Sequence, residues 1–186
     1  MKLFNYLCKP ILCLLLCSGI NQGYSQALMG LYGGTIIGGK LEQNGEKYNS
    51  GLGWELGYSE SVGDQGDGWG FELATEMDFR LIEIEEIDYF EKDYKFLFDV
   101  YGGPGVMWYG IRARALIGYS FSTWIDNAIS GGKLGALSFK LTLDVTLSGL
   151  FSIGVFYRPL KQKLMDKSGV GFTTHPSFGI RFALWM

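Results

Sequence analysis

The chain has 186 residues, with 16 basic and 19 acidic side chains and 28 glycines, about twice the ordinary glycine usage. Aromatic residues at 16% and charged residues at 19% exclude a disordered chain, and four prolines without a triplet repeat exclude collagen. A mean hydropathy of +0.11 is too low for a bundle of membrane helices, and the net charge of −3 gives no basic stripe for nucleic acid.

Residues 1–27 have the layout of a secretory signal peptide. Lys2 and Lys9 form a positive region, residues 11–20 an apolar run, and Asn21-Gln22-Gly23-Tyr24-Ser25-Gln26-Ala27 a polar stretch with small residues. Cleavage fits after Ser25 or after Ala27. All three cysteines, Cys8, Cys13 and Cys17, fall in this segment, so the mature chain has no disulfide and no thiolate chemistry. Cys17 before Ser18-Gly19 resembles a lipobox cysteine, but Leu15 and Leu16 stand where that motif has small residues. Loss of Lys2 and Lys9 takes the net charge from −3 to −5.

Residues 28–186 read as one domain of eight strands. The first, 28–41, is glycine-rich with a blurred pattern. Thereafter apolar and polar residues alternate with a period of two, which marks strands with one apolar face. Leu52, Trp54, Leu56 and Tyr58 oppose Glu55 and glycines; Trp69, Phe71, Leu73, Met77, Phe79 and Leu81 oppose Glu72, Glu76, Asp78 and Arg80. Tyr94, Phe96, Phe98 and Val100 oppose Lys95 and Asp99, and residues 111–121 set Ile and Ala against Arg112 and Arg114. The clearest strand, 134–147, opposes Lys140 and Asp144, the next opposes Arg158, and the last, 177–186, opposes Arg181. Turn signals separate these runs: Asn44-Gly45, residues 63–68, the acidic residues 83–93, Gly102-Gly103-Pro104-Gly105, residues 126–133, Ser148-Gly149 and residues 161–169.

Which face is inside decides the class. A soluble barrel puts the apolar face inward; a membrane barrel reverses this, with polar residues filling the lumen. Large aromatics near strand ends suit interfacial girdles, and the polar faces are rich in small residues. Their charges also nearly balance, six acids (Glu55, Glu72, Glu76, Asp78, Asp99, Asp144) against seven bases (Arg80, Lys95, Arg112, Arg114, Lys140, Arg158, Arg181). A closed lumen requires such balance, because an unpaired buried charge costs several kcal/mol. The expectation is an all-β, eight-stranded antiparallel up-and-down transmembrane barrel after a cleaved signal peptide, with the lumen plugged by an ion-pair network.

The signal peptide, the alternating strands and the terminal strand Phe178-Gly179-Ile180-Arg181-Phe182-Ala183-Leu184-Trp185-Met186 resemble the small eight-stranded outer-membrane barrels of the OmpA-transmembrane and OmpX type and the outer-membrane β-barrel proteins common in Bacteroidota. The resemblance covers nearly all of residues 28–186 and is architectural. It implies an outer-membrane location, contact with outer-membrane lipid, insertion by the barrel-assembly machinery through the terminal strand, and a structural or surface-interaction role through the outer loops. The chain departs in ending on Met186, with the aromatic Trp185 one place earlier.

Chemistry-bearing motifs are few. His175, the only histidine, is followed by Pro176-Ser177, and a His-x-Ser pair on a barrel strand resembles outer-membrane lipid A deacylases. That alternative is a lipid-modifying enzyme using His175 and Ser177, although the shared face is the one carrying Arg181 and no carboxylate orienter is near in sequence. A second alternative is a soluble periplasmic ligand-binding barrel. Glu72, Glu76 and Asp78 share a face, but the neighbouring Arg80, Arg112 and Arg114 point to ion pairs and not to a metal. The acidic residues 83–93 lack EF-hand spacing, and no helix or lysine follows Gly102-Gly103-Pro104-Gly105 to make a phosphate cradle, so no cofactor or metal is expected.

Overall fold

The computed structural model describes residues 26–43, 45–49, 53–63, 69–84, 93–122, 135–148, 150–165 and 171–186. Residues 1–25 of the expected signal peptide 1–27, most of the acidic connection and residues 126–133 lie outside them. Twelve strands are formed: β1 (Gln26–Ile37), β2 (Lys40–Gln43), β3 (Glu46–Asn49), β4 (Gly53–Gly63), β5 (Trp69–Ile84), β6 (Asp93–Trp108), β7 (Ile111–Ser122), β8 (Ala136–Ser148), β9 (Phe151–Arg158), β10 (Gln162–Met165), β11 (Gly171–Thr174) and β12 (Ser177–Trp185). Eight of them close into a barrel in the order β1-β12-β9-β8-β7-β6-β5-β4, every pair antiparallel. Closure runs from Ile37↔Phe178 to Gly30↔Trp185, and beyond it Met186 N–H donates to Met29 O at 2.7 Å.

Both chain ends of the barrel lie at one rim, together with the turns β6–β7 and β8–β9. The long connections lie at the other rim. The β6–β7 turn is Tyr109-Gly110, both with positive φ (45° and 81°), the two-residue geometry that matches the twist of paired strands. This corrects the turn expected at Gly102-Gly103-Pro104-Gly105: those residues lie inside β6 and pair with β5, Leu73↔Pro104 included. Pro104 has no N–H to donate, and the β6–β7 ladder is interrupted at Gly103 and Pro104 alone.

The remaining four strands were not legible as strands. The first predicted strand ends at Ile37, not 41, and the turn expected at 161–169 contains β10. Together they form a second sheet, β10-β11-β2-β3. It extends the barrel wall: β2–β11 continues the register of β1–β12, and β2–β3 that of β1–β4. His175 N–H donates to Lys40 O at 2.9 Å across the junction. The wall bends there, at Gly38 and Gly39 (φ 73° and 127°) opposite His175-Pro176. The alternation slips by one residue at this bend, so that Leu41 and Thr174 face inward as Ile36 and Ser177 do below it.

Inside the barrel, aromatic rings fill the space that glycines leave. A methyl group at Gly57 would lie 2.5 Å from the Tyr32 hydroxyl oxygen, one at Gly30 2.5 Å from the Trp185 ring, and one at Gly118 2.7 Å from Tyr101. Gly33 is on the outer wall, with its nearest neighbour 3.8 Å away. Gly57→Ala is therefore expected to destabilise the barrel by about 1–3 kcal/mol through overpacking, and Gly33→Ala to stay within about 0.5 kcal/mol. Urea unfolding in lipid vesicles, followed by tryptophan fluorescence, measures both; equal midpoints would contradict the packing described.

Candidate functional site

The polar faces of the eight barrel strands meet in the lumen. Glu76, Asp78, Asp99, Lys140 and Arg181 are fully buried, and Glu55, Glu72, Arg80, Lys95, Arg112, Arg114, Asp144 and Arg158 are each at most 9% exposed. The opposite faces are bare: Phe71 is 76% exposed, Leu147 70%, Trp69 69% and Trp54 60%. In water this arrangement would expose the apolar surface and bury the charges, the reverse of what solvation favours. In a bilayer it satisfies both, with strands of 11 to 16 residues in β4 to β8 against the 9–11 needed to cross at a tilt. The chain is an integral membrane β-barrel. The soluble ligand-binding alternative fails on the same observation, because the aromatic face is outside and the interior holds charges.

The lumen is layered along its axis. At the rim that holds the termini, Trp185 is buried and donates its indole N–H to Ser152 Oγ at 2.9 Å. The Arg112 and Arg114 guanidinium groups lie 4.4 and 5.1 Å from its ring. Arg114 Nε donates to Glu72 Oε1 at 2.6 Å, and Arg112 pairs with the other Glu72 oxygen at 3.3 Å.

In the middle, Glu76 receives Arg114, Arg181 and Lys140 at 3.0, 2.9 and 3.0 Å. Arg181 also grips Asp144 with two parallel bonds, Nε to Oδ1 at 2.7 Å and Nη2 to Oδ2 at 2.5 Å. Asp78 Oδ2 accepts from Lys140 and Arg158, both at 2.7 Å, and Arg158 reaches Glu55 at 2.6 Å. Tyr32 and Tyr101 lie among these groups, Tyr101 Oη receiving Arg158 Nε at 3.1 Å. Glu72, Glu76 and Asp78 are thus each held by arginine or lysine.

Toward the far rim, Arg80 pairs with Asp99 and donates to Ser120 Oγ at 3.2 Å and to Gln162 Oε1 at 3.0 Å. Gln162 sits on β10 and also donates to Ser120 Oγ at 2.6 Å, while Thr174 Oγ1 donates to Gln162 at 3.2 Å. The second sheet is therefore a lid latched across the mouth. Beneath it Leu41, Leu164 and Phe172 of the lid pack on Ile36, Ile82, Leu97 and Phe156 of the barrel. Lys95 lies 6.0 Å from the Phe172 ring. A charged plug, an indole at one end and an apolar stopper at the other leave no wide bore.

Several interior residues escaped the sequence reading. Trp185 and Phe156 share parity with Arg181 and Arg158, a signal that was available. Tyr32 lay in the blurred first strand, and Gln162 in an expected turn.

His175 and Ser177 fall at the base of the lid. His175 Nε2 lies 3.4 Å from Glu42 Oε2, and among the described residues no hydrogen bond joins it to Ser177. Both line, with Arg80, a cavity of about 20 Å³. That is room for roughly one water and none for an acyl ester. Ser177 faces the lumen, away from lipid.

No protein-family model and no curated protein matches the sequence. Among solved structures the chain is similar to Ail, the attachment invasion locus protein of Yersinia pestis, solved in complex with the heparin analogue sucrose octasulfate. The match has 16% identity and a TM-score of 0.46, covering 87% of this chain and 99% of that one. It is also similar to the outer membrane protein OprG from Pseudomonas aeruginosa, with 15% identity and a TM-score of 0.38, covering 89% of this chain and 98% of that one.

Removing Arg181 would take from Asp144 both of its paired bonds and leave Glu76 with Arg114 and Lys140 alone. Arg181→Leu is expected to cost about 3–5 kcal/mol, as breaking a buried pair does. Arg181→Lys loses the paired bonds to Asp144 and recovers only part of that stability. Urea midpoints in vesicles measure both; a leucine variant as stable as the parent would contradict the network's role.

Proposed function

We propose that the protein is a structural or surface-interaction component of a bacterial outer membrane, acting through its lid and outer connections and not by conducting solutes. The observation that carries this reading is the charge-filled lumen, with no wide bore, inside an apolar wall. A plug of paired arginines and carboxylates provides rigidity and a fixed register; it leaves no wide path for a solute.

Secretion through a cleaved signal peptide belongs to this reading. Cleavage after Ser25 suits the barrel better than cleavage after Ala27, because Gln26 and Ala27 already pair with Gly63 and Val62 in the β1–β4 ladder. The terminal strand β12 would then be the segment read by the barrel-assembly machinery, and the short-turn rim would face the periplasm. The outer connections, with the lid at their base, would face outward and meet a surface partner.

Cell fractionation followed by gel mobility with and without boiling in detergent tests the location. Recovery in the outer membrane with a heat-dependent band is expected, and a soluble protein without a shift would overturn it. In planar bilayers the protein should give no steady conductance; stable channels of wide-pore size would overturn the sealed lumen.

A further inference from the structure

The outer wall carries a groove that nothing in the lumen explains. It lies over the small outward residues Gly33 and Thr35 of β1 and runs from Phe182 of β12 across Trp54 and Leu56 of β4 to Phe79 of β5 and Phe96 of β6. Its volume is about 690 Å³, within the roughly 300–1,000 Å³ of small-molecule clefts, and its lining is almost wholly apolar.

Directly beyond it in the same ladder stands the lid. β2 and β3 resume the register of β1 and β4 past the bend at Gly38-Gly39, so the hairpin's exposed lysines stand on the strands that leave the groove. Lys40 and Lys47 are exposed there, and so are Lys163 on β10 of the same sheet and Lys161 just before it. Glu42, directly across from Lys47, and Glu46 balance the hairpin's two lysines, and Lys161 and Lys163 leave the lid net positive among the described residues, on a chain that is net negative. Lys40 is five residues beyond Thr35, on the order of 15 Å, which is about half the hydrocarbon thickness. A chain lying in the groove would therefore bring its headgroup to the lysines.

We infer that this groove and the basic face above it form one site for an acylated, phosphorylated lipid of the surrounding leaflet. The apolar groove takes an acyl chain, and Lys40 and Lys47 take the phosphate. The inference rests on the reading that this wall faces lipid. A lone basic patch would attract any anion, and a lone groove would accept any chain; their succession along β1 and β4 selects a molecule carrying both.

Native mass spectrometry of the protein purified in detergent tests this, with phosphatidic acid, phosphatidylcholine, diacylglycerol and inorganic phosphate as probes. One phosphatidic acid molecule is expected to stay bound. The double variant Lys40→Gln/Lys47→Gln should weaken its retention roughly 30-fold, from the usual contribution of two lysines at a membrane surface. Gly33→Phe should fill the groove and weaken it comparably while leaving the lysines in place. Equal retention of diacylglycerol, displacement by inorganic phosphate, or indifference to either variant would overturn the site. The heat-dependent gel shift, run on every variant, separates the two readings: no shift in the parent overturns the membrane wall itself, and a shift without lipid retention overturns only the site.

Discussion

The structure depends on one constraint: charges enclosed by eight strands must neutralise one another, because neither water nor lipid can do it for them. Thirteen charged side chains share the lumen. Ten of them form one connected network around Glu76, Asp78 and Arg181, and Arg80 and Asp99 pair in a layer of their own beneath the lid. Glu76 alone joins β5 to β7, β8 and β12 through Arg114, Lys140 and Arg181. These partners are far apart in sequence and come from opposite walls of the barrel. The network therefore acts as cross-bracing, and the interior glycines and aromatic rings are fitted around it.

The same network guards register. A one-residue slip of any strand would turn its arginines or lysines toward lipid and its phenylalanines toward the charges. An arginine or lysine on the lipid face near the midplane costs about 2–4 kcal/mol. A slip of β12, for example, would move Arg181 from Glu76 and Asp144 to the position of Phe182, which is 60% exposed on the outer wall. Lid and lumen are coupled in a similar way. Gln162 ties β10 to Arg80 and Ser120, so the lid's seat depends on the placement of the charged layer below.

Period-two alternation made the barrel strands readable, because each strand has one lipid face and one lumen face. It also put the charged residues on a single face. Which acid meets which base was not readable, since partners such as Arg158 and Glu55 are set by barrel closure and not by local pattern. The lid was missed for a local reason. Its strands are four residues long, too short to show a period, and the alternation slips at Gly38-Gly39 and His175-Pro176. The glycines and proline around Gly103 read as a turn, yet the turn is at Tyr109-Gly110, where a tyrosine occupies a conformation usually left to asparagine or glycine.

The whole structure requires that the wall face lipid and the charges face inward. Single-tryptophan variants in vesicles of brominated lipid test it most directly, with Trp54 on the outer wall and Trp185 in the lumen. The account predicts strong quenching when Trp54 is the one tryptophan kept and little when it is Trp185. Trp185 quenched as strongly as Trp54, or Trp54 untouched by the brominated chains, would contradict it.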